Sequence, residues 1–256
     1  MEFRQSQGRA RRIIIVGAGI IGLATAFQIR SADSDVEITI LEKEQGLALH
    51  QTGRNSGVIH SGIYYKPGSA KALNCRAGRE ALLEFCQQYD IPHELCGKVV
   101  VATDAGEVRR LHELHQRGRA NGVECRLIGR EELLDIEPHA SGLEALHVPG
   151  AGIVDYGAMC RVLAQEFGGR LVLGAQVLEV ASTDQGVVVE TDHGPFRGDL
   201  LLNCAGLQCD RVCRISGGQP GLKIVPFKGE YYRVRQEAEY LCRHLIYPVP
   251  DPQFPF

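Results

Sequence analysis

Short apolar blocks of changing period run along this chain. Ile13, Ile14, Ile15 and Val16 are four consecutive β-branched residues and predict a buried strand. Residues 20–30 take helical spacing. Val36-Glu37-Ile38-Thr39-Ile40-Leu41 then alternates as a second strand. Residues 46–67 lose periodicity and are rich in Gly, Ser, Thr and Asn, yet they keep Val58, Ile59, Ile63, Tyr64 and Tyr65 close together. An ordered functional loop is expected there. Ala72, Leu73, Ala77, Ala81, Leu82 and Phe85 mark a helix over 69–90.

Residues 98–102 form a strand, 104–121 a charged helix ending at Gly122, 123–128 a strand, and 130–136 a short helix before Pro138. Residues 142–149 read as a strand returning toward the first domain. Asp155 caps a helix through Phe167. Residues 171–173 and 177–180 are strands, and 186–191 makes a hairpin across Asp192-His193-Gly194. A buried strand at 200–203 runs into the small-residue turn Cys204-Ala205-Gly206, with a helix from about Asp210. The fold class is therefore α/β: a Rossmann-like domain split over 13–90 and 150–216, with a second, mixed α+β domain over 91–149 and 217–256. The apolar, proline-rich end from Tyr247 to Phe256 reads as truncated inside that second domain.

Between the first strand and helix lies Gly17-Ala18-Gly19-Ile20-Ile21-Gly22. Glycine makes up 30 of 256 residues, so the flanking strand and helix carry the inference. Gly17 permits a tight turn, Gly19 lets the backbone approach a pyrophosphate, and Gly22 lets the helix pack close to the strand. The helix N-terminus offers N–H groups and a positive dipole end to phosphates. Glu42 stands 20 residues beyond Gly22, placed for ribose hydroxyls. An acid there disfavours a 2′-phosphate, which leaves FAD or NAD ahead of NADP.

Composition narrows the choice further. The net charge of −3 gives no electrostatic case for nucleic acid, and no apolar run reaches the length of a membrane span. The basic head with Arg4, Arg9, Arg11 and Arg12 is too short for a presequence and reads as a disordered tail. Nine cysteines without a CxxC pair indicate free thiols in a reducing compartment. No metal site is expected: Cys209 and Cys213 lack a second ligand pair, and His112 and His115 fall on a solvated helical face.

A second motif, Thr52-Gly53-Arg54-Asn55-Ser56-Gly57-Val58-Ile59-His60-Ser61-Gly62-Ile63-Tyr64-Tyr65, has no use in a plain nicotinamide dehydrogenase. With it the chain resembles the FAD-dependent oxidases of the D-amino-acid-oxidase superfamily, and within them the L-2-hydroxyglutarate oxidases and dehydrogenases. Further matching pieces are His50-Gln51-Thr52-Gly53, Pro67-Gly68-Ser69, Cys96-Gly97-Lys98, Gly152-Ile153-Val154, Pro226-Phe227-Lys228-Gly229-Glu230-Tyr231 and Leu245-Ile246-Tyr247-Pro248. Chains of that family run well past Phe256.

The resemblance implies oxidation of L-2-hydroxyglutarate to 2-oxoglutarate. A hydride passes to flavin N5, a base takes the hydroxyl proton, and electrons leave to oxygen or a membrane quinone. It implies a cytoplasmic enzyme with peripheral association at the inner membrane. Alternatives are an FAD oxidase for another small hydroxy acid or amino acid, and a non-catalytic FAD-binding fragment. The implied cofactor set is Gly17, Gly19, Ile20, Ile21, Gly22, Glu42, Lys43, Thr52, Asn55, Ser56, Gly57, Val177, Ala205 and Gly206. Arg54 is a further candidate for the pyrophosphate. His60 is the candidate base, or the group that orients the substrate hydroxyl, because it sits in the flavin loop and imidazole titrates near neutral pH. Lys228 is expected to hold a substrate carboxylate, with Tyr231 and Tyr247 as hydrogen-bond donors.

Overall fold

The computed structural model describes residues 11–253. Arg4 and Arg9 of the basic head and the closing Phe254-Pro255-Phe256 lie outside them. In chain order the elements are β1 (Arg12–Val16), α1 (Ile20–Ala32), β2 (Glu37–Glu42), β3 (Val58–Ile59), α2 (Ala70–Gln88), β4 (His93–Glu94), β5 (Lys98–Ala102), α3 (Ala105–Ala120), β6 (Arg126–Gly129) and α4 (Arg130–Ile136). Then come β7 (Glu144–Val148), β8 (Gly152–Val154), α5 (Tyr156–Glu166), β9 (Arg170–Leu173), β10 (Val177–Thr183), β11 (Gly186–Thr191), β12 (Gly194–Gly198), β13 (Leu200–Asn203), α6 (Cys209–Ile215) and β14 (Leu245–Pro248). Among the described residues no helix is long and apolar enough to cross a membrane.

The chain divides into two compact units. The first holds residues up to Asn55 and Tyr156–Gly229; the second holds Ser56–Asp155 and the chain from Glu230 on. The division therefore falls at 55/56, where the sequence suggests 90. β3 explains the shift. It pairs antiparallel with β8, Val58 opposite Ile153, and the Val154 N–H donates to the Gly57 carbonyl. These bonds tie the chain after Ser56 to the second unit.

In the first unit a parallel sheet runs β13-β1-β2-β9. Its β-branched centre packs as the sequence requires: Ile14, Ile15 and Ile40 are all 2% exposed or less. Arg12, a tail residue on the sequence reading, opens β1 instead and pairs with Asp199 at 3.2 Å. The sequence predicts a buried β13. It occupies a sheet edge, so Leu201 and Leu202 are half-buried while Leu200 and Asn203 are exposed. An antiparallel sheet β10-β11-β12 adds Val180, Val187 and Val189 to the core around Ile14 and Leu41.

The second unit has a four-stranded sheet, β14-β5-β7-β6, and a small one, β3-β8-β4. β7 pairs with β5 and β6 inside this unit. In this register Val99 faces His147 and Leu127 faces Leu146, burying both faces of β7. Ser69 starts α2 by accepting the Ala72 N–H, a cap worth about 1 kcal/mol. Asp104 does the same for α3 with Gly106 and Glu107. β14 is held partly by Glu137, a fully buried carboxylate that accepts the N–H groups of Arg243 and His244.

Candidate functional site

The first unit carries a cavity of about 700 Å³ at the C-terminal ends of β1, β2 and β13. Open parallel sheets bind ligands at that edge, where neighbouring connections diverge. The sequence builds the cavity from its turns. Gly17 leaves β1 at φ +104°, a left-handed conformation that ordinary side chains resist, and its N–H donates to the Leu41 carbonyl at 2.8 Å. A Cβ at Gly17 would stand 2.5 Å from the Cys204 carbonyl oxygen. Gly22 sits behind the turn, and a Cβ there would stand 1.9 Å from the Gly17 oxygen. Both glycines are demanded by the chain's own backbone.

Gly19 differs. A Cβ on it would meet only Thr52 Oγ1, at 3.2 Å, so this glycine keeps space open toward the cavity it lines. It is also the N-cap of α1 and offers no side-chain acceptor to the first turn. The Ile20 N–H is taken by Thr52 Oγ1 at 3.1 Å, which brings the 50–55 loop over the helix start. The result is a helix N-terminus with its dipole directed at an open space, a ready anion site.

Glu42 ends β2 with both carboxylate oxygens fixed. Oε2 accepts the Ala18 N–H at 2.8 Å, and Oε1 accepts the Glu44 N–H at 3.0 Å. A carboxylate oxygen has a second lone pair for a ribose hydroxyl. Beyond it, Glu44 accepts from His50 Nε2 at 2.8 Å and pairs with Lys43 at 3.3 Å. The hydrogen bonds from His50 and then Lys43 lower the Glu44 pKa.

Of the residues singled out by sequence, Gly17, Gly19, Ile20, Ile21, Glu42 and Lys43 line this cavity. So do Thr52, Asn55, Val177, Ala205 and Gly206. Gly22 supports the turn from behind. The Asn55 side-chain amide is used within its own loop, donating to the carbonyls of Gln51 and Thr52 at 2.9 and 2.7 Å. Ser56 and Gly57 do not line the cavity: they belong to the second unit, where Gly57 is bound to Val154. Arg54 does not line it either.

Five polar side chains of the cavity wall were not among the expected site residues: His50, Gln51, Gln176, Gln208 and Arg211. Arg211 had a usable signal, since it sits one turn into the helix that follows the Ala205-Gly206 turn. His50 and Gln51 had one in the family resemblance, which includes His50-Gln51-Thr52-Gly53, whereas Gln176 and Gln208 had none.

His60, Tyr231 and Tyr247 lie in the second unit and Lys228 in the first, so the expected substrate set is not gathered by one unit. Lys228 and Tyr231 are exposed, in a stretch without regular structure. Tyr247 is half-buried on β14. His60 follows β3 with its side chain exposed and its carbonyl accepting from Cys75 Sγ at 3.5 Å. Partial desolvation by its neighbours, then the charge of Lys98, lower its pKa, which favours the neutral imidazole. None of the nine cysteines forms a disulfide. Among the described residues no cluster of His, Cys, Asp or Glu is arranged to hold a metal ion.

This fold and this cavity are of the dinucleotide-binding class. Residues 12–256 match the FAD dependent oxidoreductase family (DAO), and the chain belongs to that family. It is 47% identical over 250 residues to L-2-hydroxyglutarate dehydrogenase of Indibacter alkaliphilus, covering 96% of this chain and 63% of that protein. It is 43% identical to L-2-hydroxyglutarate dehydrogenase of Escherichia coli K12, covering 95% of this chain and 58% of that protein. The mitochondrial L-2-hydroxyglutarate dehydrogenase of Homo sapiens is also 43% identical, over 95% of this chain and 56% of that protein. The chain thus spans less than two thirds of the length of these relatives.

Among solved structures, L-alpha-glycerophosphate oxidase from Mycoplasma pneumoniae with FAD bound superimposes with a TM-score of 0.76 at 22% identity. That match covers 95% of this chain and 66% of that one. Glycine oxidase from Geobacillus kaustophilus gives 0.73 at 21% identity, over 81% of this chain and 59% of that one. At such identities the likeness defines the fold.

The residues present fit FAD. Gly19 leaves room where a phosphate must approach backbone, α1 points its N-terminus there, and Glu42 is already oriented by two N–H groups. Replacing Glu42 by Ala removes that carboxylate and orphans the N–H groups of Ala18 and Glu44. FAD affinity is expected to fall about 30-fold, the usual cost of losing a charge-assisted contact of about 2 kcal/mol. Fluorescence titration of the apoprotein with FAD measures it.

Proposed function

We propose that this chain forms the FAD-binding region, and part of the substrate region, of an enzyme that oxidises L-2-hydroxyglutarate to 2-oxoglutarate. The observation that carries this reading is identity of 43–47% to L-2-hydroxyglutarate dehydrogenases across nearly the whole chain. The cavity fits the same reading. In it Gly17, Gly19 and the α1 N-terminus hold the diphosphate, and Glu42 holds the ribose. Val177 borders the adenine, while Ala205 and Gly206 pass beneath the phosphate arm. Thr52 and Asn55 shape the loop over the helix start, and Ser56 and Gly57 continue it toward the flavin ring.

FAD, when bound, supplies the two-electron acceptor for the substrate carbon. The side chains then have three tasks: to fix the carboxylates, to hold the hydroxyl and to accept its proton. His60 is assigned the last. Its lowered pKa keeps it in the proton-accepting form at neutral pH. Tyr231 and Tyr247, both of the second unit, are assigned hydrogen bonds to substrate. Oxygen or a membrane quinone takes the electrons onward, in a cytoplasmic protein with peripheral contact at the inner membrane.

Anaerobic mixing of the FAD-loaded chain with L-2-hydroxyglutarate tests the reaction. The visible flavin band is expected to bleach and 2-oxoglutarate to appear in equal amount. The D enantiomer and amino acids are expected to leave the band unchanged. Bleaching by an amino acid alone would replace this reading with an amine oxidase.

A further inference from the structure

We propose that Lys98, held between Tyr64 and Tyr247 beside His60, is the cation that receives a carboxylate of the substrate. This rests on the reaction proposed above and names a residue for its site.

Lys98 opens β5, in the sequence Lys98-Val99-Val100-Val101-Ala102. Strand alternation puts it on the face of Val100 and Ala102, which pack against Leu111 and Leu114 of α3. A lysine on such a face is unexpected, and it is only 1% exposed. Buried charges are normally paired with an opposite charge. Among the described residues no carboxylate pairs with Lys98, and burial alone acts on its basicity, lowering it.

Two aromatic faces partly offset the lost hydration. The Lys98 ammonium lies 4.3 Å from the Tyr247 ring centroid and 5.3 Å from that of Tyr64. Rings attract a cation without neutralising it, so the charge remains available to an anion. His60 is near enough for the Lys98 charge to weaken its proton affinity. A cation, an imidazole and two phenols are thus collected in the second unit.

A 2-hydroxy acid carries its hydroxyl on the carbon next to a carboxylate. A cation beside an imidazole matches that pair of groups: Lys98 takes the carboxylate and His60 faces the hydroxyl. Lys228 has no comparable setting, being exposed in an irregular stretch.

The test compares wild type with Lys98→Met and Lys98→Arg, each loaded with FAD. Calorimetric titration uses glutarate, a dicarboxylate that lacks the reactive hydroxyl. Lys98→Met is expected to bind glutarate at least about thirty-fold more weakly, and Lys98→Arg to recover part of the loss. Methionine fills the same length, and removing an unpaired buried charge is not expected to lower the melting temperature. Should Lys98→Met not fold, Lys98→Gln carries the same comparison. Equal glutarate affinity in wild type and variant, with L-2-hydroxyglutarate still bleaching both, overturns the assignment and leaves the reaction standing. A wild-type chain that holds FAD yet neither binds glutarate nor bleaches overturns both.

Discussion

Gly22→Ala is expected to yield a chain that purifies colourless and melts well below wild type. The added methyl would lie 1.9 Å from the Gly17 carbonyl oxygen and 3.1 Å from its carbon. Neither atom belongs to a side chain that can swing away. The turn is pinned on both flanks, by Gly17 N–H to Leu41 at 2.8 Å and by Cys204 N–H to the Val16 carbonyl at 2.9 Å. Relief requires α1 to move off β1, which also moves the helix N-terminus away from the phosphate position. Overpacking of this kind costs about 1–3 kcal/mol, and an immobile backbone neighbour puts this case at the upper end. Gly78→Ala is the control. It sits in α2, where an added methyl would meet nothing within 4 Å, and the same substitution there is expected to stabilise by about 0.5–1 kcal/mol. Thermal melts and FAD retained through gel filtration report both, and a yellow, fully stable Gly22→Ala chain would refute the cradle.

His60→Ala is expected to slow anaerobic flavin reduction by about 10²–10⁴-fold, the usual contribution of a positioned base. Folding and FAD affinity are expected to hold. The His60 side chain is exposed, the Cys75 contact goes to its backbone carbonyl, and it lines no part of the cavity in the first unit. The pH profile adds a second readout. A depressed pKa means the imidazole stays neutral until the pH falls below the ordinary 6.5. The acid limb of the wild-type rate should therefore lie below that value, and His60→Ala should lack it. Lys98→Met removes one cause of the depression, so its limb should move to higher pH. An unchanged reduction rate in His60→Ala would remove His60 from proton transfer.

The glycine turn between β1 and α1, with the acid that ends β2, could be read in the sequence because its determinants are local. A β-branched run, three glycines at fixed spacing and an acid at the next strand end leave little freedom, and β1, α1 and β2 lie within two residues of the expected limits. Helices α2 and α3 were legible for the same reason: apolar spacing, and for α3 a Gly after its end. The unit boundary was not, because it depends on Val58 meeting Ile153, a pairing across nearly a hundred residues that no local pattern encodes.

Lys98 shows the same division at the level of one side chain. In the sequence it is a charged residue at the mouth of a strand, indistinguishable from a solvated lysine. Only the fold brings Tyr64 and Tyr247 over it and removes it from water. Periodicity and turn chemistry therefore determined the strand, glycine turn and helix start that open the first unit. Long-range packing decided which charges became buried, since burial is a property of what lies opposite in space and not of what lies next in the chain.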